Sequence, residues 1–112
     1  MGAVRGMDGQ VAVNEVTFRQ INEGIEEGRN ERDGLVPFVC ECGELGCNEI
    51  VELTLREYER VRAGARCFLV APGHGAVFDE LRREEARFGV VRKPDGPLGD
   101  LAERTDPRQD AG

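Results

Sequence analysis

Apolar and polar positions change period several times along the chain, and each change marks an element. Val16, Ile21 and Ile25 fall near helical spacing, with Phe18 three residues before Ile21, which predicts a helix over 15–30 capped by Asn14. Gly24 and Gly28 weaken that helix, and Gly34 closes the region. Val36 to Cys40 reads as a short strand in which Pro37 is tolerable only at the start or on an edge. Ile50, Val51 and Leu53 make a second strand, so the segment between the two caps a hairpin. Thr54-Leu55-Arg56-Glu57 is a capping box: Thr54 caps a new helix while the Glu57 side chain reaches back to its backbone N–H. Leu55, Tyr58 and Val61 then repeat at three-residue spacing, and Gly64 ends that helix. Cys67 to Ala71 is a buried strand stopped by Pro72-Gly73; Val77 and Leu81 suggest a short helix over about 76–86, and Phe88 to Arg92 a last strand.

These elements describe a small α+β domain over residues 11–93, with a short, mostly antiparallel sheet and two or three helices. Residues 1–10 are rich in Gly and read as a disordered N-terminus. Residues 94–112 are rich in Pro, Gly and Asp, with only Leu98 and Leu101 to bury, and read as a flexible tail. At 112 residues the chain fits one domain, and its 39% apolar and 5% aromatic content allows a modest core of Val, Leu, Ile and Phe. Domains of this size often need a metal or disulfide staple.

The cysteines are where such a staple belongs. Cys40-Glu41-Cys42-Gly43-Glu44-Leu45-Gly46-Cys47 is a C-x-C-x4-C pattern, three thiols in eight residues. Zinc takes four soft thiolate or imidazole donors in a tetrahedron. A C-x-C pair reaches one ion only if the backbone turns tightly, and Gly43 and Gly46 permit that turn. Glu41, Gly43, Glu44 and Asn48 make a polar loop, unlike the apolar surroundings of ordinary buried thiols. Two residues can supply the fourth ligand, Cys67 and His74. Cys67 lies in an apolar strand, where it serves equally well as a small hydrophobe. His74, the only histidine, sits in a Pro-Gly-His-Gly turn that can carry an imidazole toward the loop, and is preferred. A site of Cys40, Cys42, Cys47 and His74 is closed to water and therefore structural.

Phe38-Val39-Cys40-Glu41-Cys42-Gly43, Cys47, Ile50 to Thr54, Glu57-Tyr58, Val61-Arg62, Phe68 to His74 and Val90-Val91 together resemble a group of small uncharacterised bacterial proteins of actinobacterial type. The resemblance spans about residues 14–93 and extends to Arg104-Thr105-Asp106-Pro107-Arg108. It implies that His74 belongs to the shared pattern and that Cys67 does not; it carries no activity to transfer. The cysteine loop also resembles the zinc loop that follows the catalytic domain of SET-type lysine methyltransferases. That likeness concerns how the loop closes on zinc, since the chain is too short for the catalytic domain.

Charge and the remaining residues narrow the functional classes. A formal charge of -7 argues against binding a phosphate backbone. Three thiolates around one zinc(II) deepen it by one unit, -3 + 2 = -1. Arg92, Lys93, Arg104 and Arg108 near the C-terminus are diluted by Asp95, Asp100, Glu103, Asp106 and Asp110. No apolar run approaches the roughly 20 residues of a membrane span, and the first ten residues lack the apolar core of a secretory signal. The expected compartment is the cytoplasm, where clustered thiols bind metal more often than they pair. Glu41, Glu44, Glu49 and Glu52 read as solvent-facing carboxylates, Arg82 to Glu85 as a solvated helix face, and Tyr58 as a core ring with its hydroxyl near the surface. No nucleophile–base pair or phosphate-cradling loop is recognisable, which points away from catalysis. The expectation is a zinc-binding domain that works through a protein partner, with a thiol-based redox or metal-sensing switch as the alternative. An enzyme with an open zinc position would require that His74 not be a ligand.

Overall fold

The computed structural model describes residues 6–29, 34–44, 46–75 and 79–108. Helix α1 (Gly6–Glu27) begins well before the expected start. Residues 6–10 are therefore helical, not disordered, and Asn14 is not a cap but an internal residue whose amide donates to Gly43 O at 2.9 Å. The face that α1 turns inward is Ala12, Glu15, Arg19, Asn22 and Glu23, while Val13 and Ile21 are exposed. Of the apolar positions in the pattern, Ile25 packs against the core and Ile21 faces solvent, because much of the inward face is taken by polar and charged side chains.

Strands β1 (Val36–Val39) and β2 (Ile50–Leu53) form the expected antiparallel hairpin, with Val36 opposite Leu53 and Val39 opposite Ile50. The ladder continues through Cys40 N–H to Glu49 O at 3.0 Å. This register points the backbone groups of Pro37 and Val39 outward, so Pro37 leaves no N–H unmet. Asn22 covers the rest of that edge: its side-chain oxygen accepts from Val39 N–H and its amide donates to Val39 O, both at 2.9 Å. Helix α2 (Leu55–Arg62) starts with the capping box as read, the Thr54 hydroxyl accepting from Glu57 N–H at 3.1 Å and Glu57 Oε1 from Thr54 N–H at 2.9 Å. Such a cap contributes about 1 kcal/mol. The Arg87 guanidinium also clamps Glu57 and donates to Glu52 O at 2.7 Å, closing the outer edge of β2.

The remaining strands make a second sheet, β3 (Cys67–Val70), β5 (Gly89–Arg92) and β4 (Glu80–Glu84) in that order, all antiparallel. Residues 80–84 are thus a strand and not the expected helix; 76–78 lie outside the described residues. Glu80 to Glu84 offers one apolar side chain, Leu81, too little for a helical stripe, whereas its backbone satisfies the second edge of β5. A bulge between Leu81 and Arg83 and four charged side chains protect this outer strand.

The core runs between the sheets and α2. Phe38 and Tyr58 stack at 4.3 Å over Val36, Val51 and Leu53. Tyr58 departs from expectation, since its hydroxyl is buried and donates to Glu23 Oε2 at 2.8 Å. Burial, only partly opposed by the Arg62 cation, pushes its phenol well up. The presumed flexible tail contains helix α3 (Pro97–Arg104), where Gly99 and Ala102 are buried. Arg19 holds its C-terminus, donating to Ala102 O at 2.8 Å and to the Thr105 hydroxyl at 3.1 Å while lying 4.7 Å over the Phe68 ring. Arg108 then pairs with Glu23 at 2.9 Å and Glu59 at 2.8 Å, fastening the chain after α3 to both α1 and α2. Few apolar residues mark this segment, so its docking through arginines left no hydrophobic signature. Among the described residues no helix is long and apolar enough to cross a membrane.

One interior cluster has a titration consequence. The Lys93 ammonium meets Glu15 at 2.6 Å and Asp79 at 2.8 Å, all three side chains almost wholly buried. Two carboxylates share one cation, so the cluster favours one proton. Burial pushes Glu15 up to about 7 against the pull of Lys93. A carboxyl raised in the folded state stabilises most below its unfolded value, and that contribution is lost as pH rises through about 7. Glu15→Gln, which mimics the protonated form, should gain on the wild type by on the order of 1–2 kcal/mol between pH 5.5 and 8. Urea denaturation of both proteins at the two pH values reads this directly; a difference that does not change with pH contradicts it.

Candidate metal centre

Cys40 leaves β1 along the ladder, and the chain then crosses to the second sheet. The Lys93 N–H to Arg66 O bond fixes the β3 register, so Cys67, Leu69 and Ala71 turn their backbone groups away from β5. The cysteine loop occupies that edge. Glu41 N–H donates to Leu69 O at 2.7 Å, Leu69 N–H to Glu41 Oε1 at 2.9 Å, and Ala71 N–H to Cys40 Sγ at 3.1 Å.

The loop reverses through Gly43 and Gly46, at φ +76° and +85°. Gly43 is also packed tight: a Cβ there would meet Val11 O at 2.5 Å and the Glu15 side chain at 2.8 Å. Cys47 N–H closes the turn onto Glu44 O. After β3, Pro72-Gly73 turns the chain with Gly73 at φ +82°, and His74 N–H bonds back to Ala71 O at 2.9 Å.

These turns bring Cys40, Cys42, Cys47 and His74 together, with their ligand atoms all within 4.8 Å of one another. His74 Nδ1 lies 3.7 Å from the sulfurs of both Cys40 and Cys47. Metal–donor bonds of 2.0–2.3 Å put neighbouring corners of a tetrahedron about 3.3–3.8 Å apart, so the two 3.7 Å separations match a tetrahedral site and the quartet is positioned to bind a metal ion. Cys40 and Cys42 are buried, Cys47 is half-buried and His74 is exposed, so one side of the centre opens to solvent. Cys67, the alternative fourth ligand, lies outside this group, half-buried at the far end of β3 against Gly64.

Around the quartet, the structure assigns a role that sequence reasoning missed. Glu41 is not solvent-facing but wholly buried, with Arg62 Nη2 at 2.8 Å and Asn22 Nδ2 at 2.6 Å. The available signal was the C-x-C spacing itself: in extended chain the middle residue points opposite to its neighbours, so Glu41 could not share the ligands' side. Arg62 and Asn22 gave no such sign, since each sits on a helix where polar residues are ordinary.

Comparison with protein families, with curated proteins and with solved structures gives no match for this chain. The chemistry of the centre therefore rests on its own residues. Burial pushes the thiols of Cys40 and Cys42 above the usual range, so both are protonated at neutral pH when no cation compensates them. A metal ion must displace those protons, and acid opposes its binding. Zinc affinity, read by competition with a chelator between pH 6 and 8, should rise by no less than about 100-fold per pH unit, a factor of ten for each of the two buried thiols that gives up a proton. A rise of less than tenfold per unit contradicts the involvement of both buried thiols.

Proposed function

We propose that this chain is a non-enzymatic zinc-binding domain that acts by binding another protein, as a regulatory or accessory module. The observation that carries the metal half is the convergence of three thiols and one imidazole from two separate turns. Soft donors of this kind favour zinc among the common divalent ions. With four protein donors no position remains for a water, which fits a structural ion and not a hydrolytic one. The bound ion would join the hairpin loop to the turn after β3, so its binding free energy adds to folding. The partner half follows from a closed metal site without catalytic parts, and the apolar side chains left in solvent, Val13 and Ile21 on α1 and Ile50 and Leu81 on the strands, are where a partner is first sought.

A second reading is favoured by the exposure of the Cys47–His74 side: the centre acts as a redox switch. Hydrogen peroxide reaching Cys47 would take two electrons from a pair of thiolates, giving a disulfide and water and releasing the ion.

Mass spectrometry of protein purified under reducing, chelator-free conditions should find one zinc per chain, and a content near zero would sink the metal reading. His74→Ala should weaken zinc binding at least tenfold while Cys67→Ser leaves it unchanged; the reverse pattern would move the fourth ligand to Cys67. Low peroxide should release the zinc if the switch operates, and unchanged metal content removes that second reading. For the partner half, Val13→Asp with Ile21→Asp should abolish recovery of a protein that the wild type pulls from native lysate; equal recovery would place the binding surface elsewhere.

A further inference from the structure

We propose that Glu41, which is not one of the four ligands, is a positioning residue for the metal centre and that its pairing with Arg62 sets the affinity of the quartet for zinc. This rests on the metal-binding reading above and adds to it a residue on the opposite side of the loop.

Glu41 stands between two ligands, Cys40 and Cys42, and has 0% exposure. Its carboxylate accepts from Arg62 Nη2 at 2.8 Å and Nη1 at 3.2 Å, from Asn22 Nδ2 at 2.6 Å and from Leu69 N–H at 2.9 Å. Its own N–H donates to Leu69 O at 2.7 Å. One residue is thus held from α1, α2 and β3 together. Arg62 is itself fixed, buried against the Tyr58 ring and donating to Cys67 O at 3.3 Å. Since the backbone on both sides of Glu41 carries a thiol, fixing Glu41 fixes where Cys40 and Cys42 stand.

The other two ligands lie on turns, half-buried and exposed, where among the described residues the main-chain bonds are local ones, Cys47 N–H to Glu44 O and His74 N–H to Ala71 O. The division is physical. Two thiols are placed by the folded framework before any ion arrives, and the ion has only to draw in Cys47 and His74. Ligands held in position lose less freedom on binding, which raises affinity. A buried ion pair is seldom the most stabilising choice for an interior, where apolar residues of similar volume do as well. A geometric duty explains why charges occupy this position. Groups that orient metal ligands without touching the metal are commonly worth about 10- to 100-fold in affinity.

The test compares Glu41→Gln and Arg62→Lys with Leu53→Ala, a truncation in the shared apolar core that lowers stability without removing any hydrogen bond of this network. Zinc affinity is measured by chelator competition, at a temperature where each metal-free variant is still folded by circular dichroism. Cobalt(II) is then bound in place of zinc, because its visible absorption reports the geometry of thiolate coordination. Glu41→Gln should weaken zinc binding about 10- to 100-fold and shift or broaden the cobalt bands. Arg62→Lys, which keeps the charge but loses the two-pronged contact, should fall between it and the wild type. Leu53→Ala should stay within about threefold of the wild type with unchanged cobalt bands, since it removes none of the hydrogen bonds that hold Glu41. Wild-type affinity in Glu41→Gln, or an equal loss in Leu53→Ala, overturns the positioning role. Wild-type protein that takes up neither zinc nor cobalt overturns the metal reading itself, a separate outcome.

Discussion

A carboxylate withdrawn from water must find donors for its oxygens or give up its charge, and the way Glu41 meets that demand organises this molecule. Burying an unmet carboxylate costs several kcal/mol. Here the donors come from Arg62 on α2, Asn22 on α1 and the Leu69 amide on β3. The two sheets share no strand. The main-chain link between them is made by the segment 40–42 lying along the free edge of β3, with Glu41 supplying both a main-chain donor and a side-chain acceptor to Leu69. Asn22 serves twice in the same place, meeting Glu41 and closing the outer edge of β1. The hairpin, the second sheet and two helices therefore converge on one buried charge.

The same logic recurs at smaller scale. With few aromatic residues and short strands, the apolar core is thin, and arginines carry connections that a larger core would make by contact area. Arg19 answers the Ala102 carbonyl near the C-terminus of α3. Arg66 bonds Asp95, Asp100 and Glu103 around its flank. Arg108 spans Glu23 and Glu59. Where carboxylates outnumber their cation they share a proton. Glu26, hydrogen-bonded to Glu59 beside Arg108, is raised to about 7, while Glu59 is held down to about 2 chiefly by Arg108.

The parts legible in the sequence were those governed by local rules. The Thr54–Glu57 capping box, the 36–40 and 50–53 hairpin, the apolar strand before Pro72-Gly73, and the ligand spacing with its two glycines all depend on residues close in the chain. What could not be read depends on distant partners. Val13 and Ile21 face solvent because Glu15, Arg19 and Asn22 have charges and strand edges to meet across the core. Residues 80–84 form a strand because β5 has an open side, not because of their own pattern. Helix α3 docks by its carbonyl ends, which every sequence possesses. Tyr58 and Glu41 looked exposable for the same reason: burial of a polar group is decided by donors and acceptors that sequence spacing does not locate.

The metal centre and the Glu41 network divide one task between them. The network anchors the first half of the cysteine loop to β3, and an ion would extend that anchorage to Cys47 and the His74 turn. Amide hydrogen exchange by NMR separates the two contributions, since Leu69 N–H is held by Glu41 and Ala71 N–H by the Cys40 sulfur. In zinc-loaded protein both amides should exchange slowly. Removing zinc should speed exchange at His74 and Ala71 while Leu69 keeps the protection of the central strands. Rapid exchange at Leu69 in the zinc-loaded protein would contradict the account, because the joint between the two sheets would then not be where Glu41 sits.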